Sequence, residues 1–172
     1  MKNTLPKKEV PGLIVDTVNG MQWELRDQKP ENFTMIVFYR GLHCPVCKKY
    51  LEELNSKIDK FREKGVSVIC VSGDSKERAG KTVEKWDVEN LVIGYGLAPE
   101  DARKWDLYIS EGVKEEEPEV FFEPAIFLIK PDFTLYAASV QSMPFFARPK
   151  FDDLLKAVDF VLEKDYPARG EA

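Results

Sequence analysis

Residues 33–71 read FTMIVFYRGLHCPVCKKYLEELNSKIDKFREKGVSVICV, and the predicted fold follows from this segment. The run Phe33–Tyr39 is nearly all apolar and β-prone, which is typical of a strand covered on both faces. From Pro45 onward the apolar residues recur at helical spacing, and Gly65 stands where a left-handed helix end is expected. Val66–Val71 is a second β-branched run. Strand, helix and strand in this order predict a βαβ unit with parallel strands.

The segments on either side of this unit predict further strands and helices. Leu13–Val18 and Met21–Leu25 are strand candidates, joined by Asn19-Gly20, a strong signal for an N-terminal β-hairpin. Ser75 is a candidate N-cap for a helix that runs to about Trp86. We predict one α/β domain over residues 1–172. Its remaining elements are expected to be a short helix at Ala98–Trp105, a loop at Glu111–Glu119, antiparallel strands at Ala125–Lys130 and Thr134–Val140, and a last helix over about Lys150–Leu162.

Composition and charge exclude several classes of protein. With 172 residues, 44% of them hydrophobic, the chain can bury a full core, unlike a disordered tail or a disulfide-stapled miniprotein. A net charge of −5 argues against nucleic acid as the main partner, since phosphate binding favours a basic face. No apolar run approaches the ~18 residues of a membrane span, and no secretory apolar stretch follows the N-terminal lysines. An odd number of cysteines then predicts a cytoplasmic protein, although a mature exported form would look the same.

The motif Cys44-Pro45-Val46-Cys47 lies at the predicted strand-to-helix junction, the context in which a CxxC pair favours redox chemistry. Cys44 is expected at the helix N-terminus, where unpaired N–H groups and the helix dipole stabilise a thiolate, the nucleophilic form. Cys47 lies one turn along, within reach of a mixed disulfide on Cys44. Such a dithiol cycles between two thiols and one internal disulfide. Pro45 suits the first helical turn, and with Val46 it tunes the reduction potential.

Two other interpretations compete for the cysteines. Buried cysteines are often inert core residues, which is the expectation for Cys70 in its apolar strand. A structural zinc site needs four ligands, typically two CxxC pairs. The chain offers one such pair, His43 directly before it and the distant Cys70. These residues are a poor set of ligands for a structural zinc site. We therefore expect no metal and no cofactor besides the redox-active dithiol itself.

Four further residues are candidates for supporting roles. Arg40 is always charged, so it either steadies a thiolate, binds an anionic substrate group or is a surface charge at a strand end. A protonated His43 would raise the thiolate fraction of Cys44, and otherwise it is a partly exposed loop residue. Arg148 is a weaker candidate of the same kind as Arg40. Pro124, directly before a predicted strand, is expected to shape a substrate groove, and its peptide bond is open between cis and the commoner trans.

These residues together resemble the alkyl hydroperoxide reductase and thiol-specific antioxidant (AhpC/TSA) family, the peroxiredoxin-like branch of the thioredoxin fold. The resemblance covers about residues 10–165 and rests on Val37–Arg40, Val68–Asp74 and Glu123–Leu128. It implies a thioredoxin-like fold, with a central mixed β-sheet flanked by helices and the N-terminal β-hairpin as an extension. Dimers are common in this family, which makes a homodimer a candidate assembly.

The candidate site departs from the pattern of that family. Typical peroxiredoxins carry Phe-Tyr-Pro, then a Thr, and three residues later the peroxidatic Cys. In that register Arg40 replaces the Pro, Cys44 replaces the Thr, and Cys47 takes the peroxidatic place. Pro124 occupies the position of an Arg that helps to activate the cysteine and the peroxide. Thioredoxins have a CxxC at the position of Cys44 and Cys47 and a cis-proline at that of Pro124. The chain as a whole is therefore similar to peroxiredoxin, and its candidate site is similar to that of thioredoxin.

Three functions agree with these features. The first is a thiol–disulfide oxidoreductase in which Cys44 attacks a disulfide and Cys47 resolves the mixed disulfide. The second is an antioxidant thiol peroxidase in which Cys47 attacks a hydroperoxide and Cys44 resolves the sulfenic acid. The third is a redox-inactive interaction module on the same fold. The enzymes would need a protein or small-molecule disulfide or a hydroperoxide as substrate, and a thiol electron donor of the thioredoxin or glutathione type; neither nucleic acid nor a membrane is an expected partner.

Overall fold

The computed structural model describes residues 2–172, and the predicted strand–helix–strand unit lies at its centre. A short 3-10 helix, Leu25–Asp27, follows the second strand. The other elements are β1 (Ile14–Thr17), β2 (Gln22–Glu24), β3 (Phe33–Phe38), α1 (Pro45–Glu63), β4 (Val66–Val71), α2 (Lys76–Lys85), β5 (Ile93–Tyr95), α3 (Pro99–Lys104), β6 (Ile109–Glu111), β7 (Val120–Phe122), β8 (Ala125–Ile129), β9 (Leu135–Val140) and α4 (Phe151–Lys164).

Seven of these strands form one mixed sheet in the order β2-β1-β5-β4-β3-β8-β9. The central strand β3 pairs in parallel with β4 and antiparallel with β8. β1 and β2 are the antiparallel strands of the predicted hairpin, and β1 joins the sheet along β5. The predicted central mixed sheet, parallel βαβ unit and N-terminal hairpin are therefore confirmed.

Both faces of β3 are covered, as its continuous apolar sequence predicts. Because successive side chains of a strand point to opposite faces, Met35 and Val37 pack with α1 and α4, while Ile36 and Phe38 pack with α3 and β7. The helix after β3 contributes one buried stripe to the first of these cores, consisting of Cys47, Leu51, Leu54, Ile58 and Phe61.

The helix ends follow the predicted signals. Pro45 is in the first turn of α1, and Gly65, just past its end, has a φ of +71°. The Ser75 hydroxyl oxygen accepts a hydrogen bond from the Arg78 N–H at 3.2 Å, which confirms the predicted N-cap of α2. Among residues 2–172, none of the helices combines the length and the apolar character that crossing a membrane requires.

The loop predicted at Glu111–Glu119 is longer than the observed one. Glu111 lies in β6, which pairs antiparallel with β7 to form a separate two-stranded sheet. Strands of three residues are too short to display the alternation that reveals longer strands, so this hairpin was not predicted. It matters for function because β7 leads directly into Glu123 and Pro124 beside the CxxC motif.

Candidate active site

The two cysteines of the CxxC motif meet at the N-terminus of α1. Cys44 is the N-cap residue, and its Sγ accepts a hydrogen bond from the backbone N–H of Cys47 at 3.2 Å. The two sulfur atoms lie 2.7 Å apart, with the Cys44 thiol donating to Cys47. Cys44 is 3% exposed and Cys47 is 0% exposed. A disulfide S–S bond is about 2.05 Å long, so the pair can close without unwinding the helix.

Ionisation of the pair is favoured at Cys47. Burial opposes it, but the hydrogen bond from the Cys44 thiol, the charge of Arg148 and the backbone N–H of Arg40 together lower the pKa of Cys47 to about 7. The hydrogen bond to Cys47 and burial raise the pKa of Cys44. When the reduced pair ionises, near neutral pH, the negative charge therefore lies on Cys47 and the remaining proton on Cys44.

We expect the reactivity of the pair to rise with pH and to level off above about pH 7, because only the thiolate reacts. Below that midpoint, the rate of the first alkylation by iodoacetamide should fall about tenfold per pH unit. Mass spectrometry of quenched samples gives the rate, and the denatured protein serves as the control, with an ordinary thiol midpoint near about 8.5. A folded-state midpoint equal to the denatured one would contradict this description of Cys47.

The cation closest to the Cys47 sulfur is supplied from a distant part of the chain. Arg148, in the loop before α4, places its Nη1 3.8 Å from the Cys47 Sγ. Its guanidinium carbon lies 3.9 Å from the centre of the Tyr50 ring, in cation–π geometry. Within residues 2–172, no carboxylate forms an ion pair with Arg148. Its positive charge is therefore available to the Cys47 thiolate.

Arg40, by contrast, is already paired. Its Nε donates to both carboxylate oxygens of Glu123 at 2.7 Å, and Nη2 also donates to this carboxylate. The Glu123 side chain is 1% exposed and that of Arg40 is 22% exposed. This ion pair ties the end of β3 to the residue before Pro124. The charge of Arg40 still lowers the pKa of Cys44, although the hydrogen bond to Cys47 and burial outweigh it.

The aromatic ring of Phe121 forms a wall of the site. The guanidinium carbon of Arg40 lies 5.1 Å from its centre, and the His43 ring packs edge-on at 4.8 Å. Burial lowers the pKa of His43, so its imidazole is neutral near pH 7. A neutral ring adds no positive charge at Cys44, and the predicted charge effect of His43 gains no support.

Asp74 holds the loop between β3 and the motif. Its buried carboxylate accepts a hydrogen bond from the Leu42 N–H at 2.8 Å and pairs with Arg78, whose Nε lies 3.3 Å away. Gly41 adopts a φ of +136°, and a Cβ built there would lie 2.6 Å from the Asp74 Oδ1. The close approach of this carboxylate to the backbone therefore requires glycine at position 41.

Replacing Gly41 should show the cost of this close approach. We expect Gly41→Ala to lower the free energy of unfolding by about 1–3 kcal/mol, because the backbone is strained and the new methyl group meets Asp74. Gly80→Ala is the matched control, since Gly80 lies inside α2 with nothing within 4 Å of the added carbon. That control should gain about 0.5–1 kcal/mol. Urea unfolding measures both; equal stability of Gly41→Ala and the native protein would contradict the assignment.

With this geometry in place, comparison with known proteins identifies the family. The model of the AhpC/TSA family matches residues 3–138. The chain belongs to the AhpC/TSA family. The thiol-disulfide oxidoreductase ResA of Bacillus thuringiensis (strain Al Hakam) is 30% identical over 107 residues, which is 62% of this chain and 53% of that relative. The chain thus spans about half the length of the curated relatives it matches.

Solved structures place this AhpC/TSA chain in the thioredoxin-like fold. Peroxidoxin BcpB from Mycobacterium tuberculosis superposes with a TM-score of 0.72 at 15% identity, over 92% of this chain and 98% of that one. Reduced 2-Cys peroxiredoxin of Plasmodium vivax gives a TM-score of 0.76 at 15% identity, over 94% of this chain and 84% of that one. The predicted thioredoxin-like fold is confirmed.

Two prolines, Pro45 and Pro124, lie at the candidate site of this AhpC/TSA chain. Pro45 opens α1 between the two cysteines. Phe38 pairs with Ala125, so the antiparallel register places Pro124 opposite Tyr39 at the end of β3. The peptide bond before Pro124 is trans, and the Pro124 carbonyl accepts a hydrogen bond from the Gln141 N–H at 2.9 Å. Pro124 therefore lies beside the motif, and its role in a substrate groove remains a prediction.

Sequence reasoning missed three side chains that hold the site: Asp74, Glu123 and Tyr50. A signal existed for the two acids, since Asp74 follows β4 and Glu123 precedes β8, and both of these strands neighbour β3 in the sheet. Polar residues at that edge lie close to a motif that follows β3. Tyr50 carried no separate signal, because a tyrosine on the apolar side of a helix is ordinarily a core residue.

The third cysteine, Cys70, is a buried core residue. Cys70 is fully buried in β4, and burial raises the pKa of its thiol, as expected for a core residue. Within residues 2–172, no three His, Cys, Asp or Glu side chains are grouped as a metal ion would require. The expectation of a dithiol without a metal or other cofactor remains a prediction.

Proposed function

We propose that this chain is a thiol–disulfide oxidoreductase that cycles Cys44 and Cys47 between two thiols and one disulfide. One observation carries the proposal: the two sulfur atoms lie 2.7 Å apart at the N-terminus of α1. At that position the dithiol can close and reopen while the helix stays formed. The named relative, a thiol-disulfide oxidoreductase that matches 62% of the chain, agrees with this choice.

In the proposed cycle Cys44 attacks first, because it is the N-cap residue and the less buried of the two. The Cys47 thiolate takes the proton of Cys44 across their hydrogen bond. Cys44 then attacks one sulfur of the substrate disulfide, and the other sulfur leaves as a thiolate. Cys47 next gives its proton to the first substrate thiolate, attacks the Cys44 sulfur of the mixed disulfide and releases the second substrate sulfur as a thiolate. The substrate thus gains two electrons and one proton from the pair, the second proton comes from water, and the chain keeps one disulfide.

Returning the chain to the dithiol requires an electron donor. We propose a dithiol of the thioredoxin type or glutathione, which would reduce the Cys44–Cys47 disulfide by the reverse exchange. Such donors keep thiols reduced in the cytoplasm, which remains the proposed location. A homodimer likewise remains a proposal.

A second candidate is a thiol peroxidase, and one observation favours it. Cys47 is the thiol with the lowered pKa, it lies beside Arg148, and it is 0% exposed, so only a small oxidant would reach it. The Cys47 thiolate would attack a hydroperoxide, giving an alcohol and a sulfenic acid. Cys44 would then displace water from that sulfenic acid and form the same disulfide.

A redox titration followed by intact mass tests the main proposal. In glutathione buffers of graded potential, we expect a reversible loss of two hydrogens and a disulfide mapped to Cys44 and Cys47. Cys70→Ala is the control and should behave like the native protein, because Cys70 is buried in β4. Failure of the pair to form a reversible disulfide would favour the interaction module.

Stopped-flow mixing with a hydroperoxide separates the two enzymes. A disulfide oxidoreductase should oxidise as slowly as a small-molecule thiol of the same pKa. Fast oxidation, with a sulfenic acid trapped at Cys47 in Cys44→Ser, would instead establish the peroxidase.

A further inference from the structure

Tyr50 joins the motif to the loop that carries Arg148. It follows Cys47 by three residues, about one turn of α1, so both side chains lie on the same side of the helix. Its ring faces the Arg148 guanidinium, with 3.9 Å between the guanidinium carbon and the ring centre. The Tyr50 hydroxyl donates a hydrogen bond to the carbonyl of Pro149. One side chain therefore holds both the head of Arg148 and the backbone that follows it.

The Tyr50 ring is itself held in place. It packs against Phe151, the first residue of α4, with 4.3 Å between ring centres. Burial raises the pKa of Tyr50, so its hydroxyl stays protonated and remains a donor at all working pH values. The ring and the hydroxyl are thus fixed relative to α1, which also carries Cys47.

Arg148 needs such a support. Its long side chain has many rotamers, and holding it in one of them costs rotamer entropy. Within residues 2–172 no carboxylate holds it by an ion pair. The preceding residue, Ala147, has a φ of +53°, so the backbone makes a strained turn directly before Arg148. The described contacts of the guanidinium are Tyr50 and the Cys47 sulfur, 3.8 Å from Nη1.

We propose that Tyr50 is a positioning residue that holds the Arg148 guanidinium against the Cys47 sulfur, and so sets the fraction of the dithiol that is ionised. The inference deepens the proposed function, since it rests on the Cys44–Cys47 dithiol as the reactive group. In this role Tyr50 acts through Arg148, which it contacts in cation–π geometry.

The ionisation of the pair can be measured directly from the ultraviolet absorbance of the thiolate as a function of pH. Besides Arg148, the groups that face Cys47 are Cys44, the charge and backbone N–H of Arg40, and the Tyr39 side chain from the end of β3. These are the same in every variant of Tyr50, so a change in the midpoint reports on Arg148.

The test compares Tyr50→Met, Tyr50→Phe and Arg148→Ala. Arg148→Ala should raise the midpoint by about one pH unit, a tenfold loss of thiolate below it. Tyr50→Met retains apolar volume without a ring face or hydroxyl, and should cause about a fivefold loss. Tyr50→Phe retains the ring but loses the hydrogen bond to Pro149, and should cause about a twofold loss.

A double variant separates positioning from general destabilisation. Adding Tyr50→Met to Arg148→Ala should not raise the midpoint further, because Tyr50 acts through a side chain that is already absent. Tyr136→Phe is the matched control: its hydroxyl also donates to a backbone carbonyl, that of Tyr166, away from the motif. That control should leave the midpoint unchanged.

Two outcomes would overturn the proposal. One is a native midpoint in folded Tyr50→Met; the other is a further rise in the double variant equal to that in Tyr50→Met alone. If Tyr50→Met does not fold, the decision passes to Tyr50→Phe, for which an unchanged midpoint counts against the proposal. The absorbance titration needs no substrate, so a protein without disulfide reductase activity would refute the proposed function and leave this test intact.

Discussion

Cys44→Ser is expected to abolish reduction of a disulfide substrate, with a loss of about a thousandfold or more, because a serine hydroxyl is not ionised near neutral pH. The fold should persist, since serine is itself a good N-cap for α1 and can accept the hydrogen bond from the Cys47 N–H. Cys47→Ser should retain the first attack but not the second. It should therefore accumulate a mixed disulfide at Cys44 that intact mass detects.

The measurement is turnover of a disulfide-linked peptide with dithiothreitol as reductant, together with the mass of the trapped protein. Cys70→Ala is the control and should turn over like the native chain, because Cys70 lies in β4, fully buried. The reverse pattern, with turnover lost in Cys47→Ser and a mixed disulfide trapped in Cys44→Ser, would assign the first attack to Cys47. This reverse pattern is the main alternative, because the lowered pKa of Cys47 favours its thiolate.

The largest effect on stability is expected from Arg40→Ala. It would leave the Glu123 carboxylate, whose side chain is 1% exposed, without its partner inside the protein. Removing one member of a buried ion pair costs about 3–5 kcal/mol. Since the Arg40 side chain is 22% exposed, water can reach part of the site, and we expect a loss of about 3 kcal/mol, at the lower end of that range.

Urea unfolding of three variants checks this expectation. In Arg40→Met/Glu123→Leu both charges are replaced by apolar groups, and most of the lost stability should return. Lys104→Ala breaks an exposed ion pair with Asp101 of similar length, 2.7 Å, and should change stability by less than about 1 kcal/mol. If Arg40→Ala cost no more than Lys104→Ala, the ion pair with Glu123 would not be what holds the end of β3.

The sequence alone predicts the secondary structure that carries the two cysteines. The apolar run of β3, the spacing of apolar residues from Pro45 to Phe61 and the β-branched run of β4 predict strand, helix and strand with few alternatives. These signals are local because helices and strands follow from side-chain periodicity over neighbouring residues. The position of Cys44 at the N-terminus of α1 follows from the same signals.

The groups that surround Cys44 and Cys47 are brought there by the assembly of the whole fold. Arg148 comes to Cys47 from 101 positions away, and Glu123 comes to Arg40 from 83 positions away. Both contacts depend on which strands neighbour β3 and on where the loop before α4 passes the motif. Sequence periodicity does not report strand order or loop path, because contacts between distant residues arise only when the sheet is assembled. For that reason Arg148 was a weak candidate in the sequence and is the closest cation to the Cys47 sulfur in the described structure.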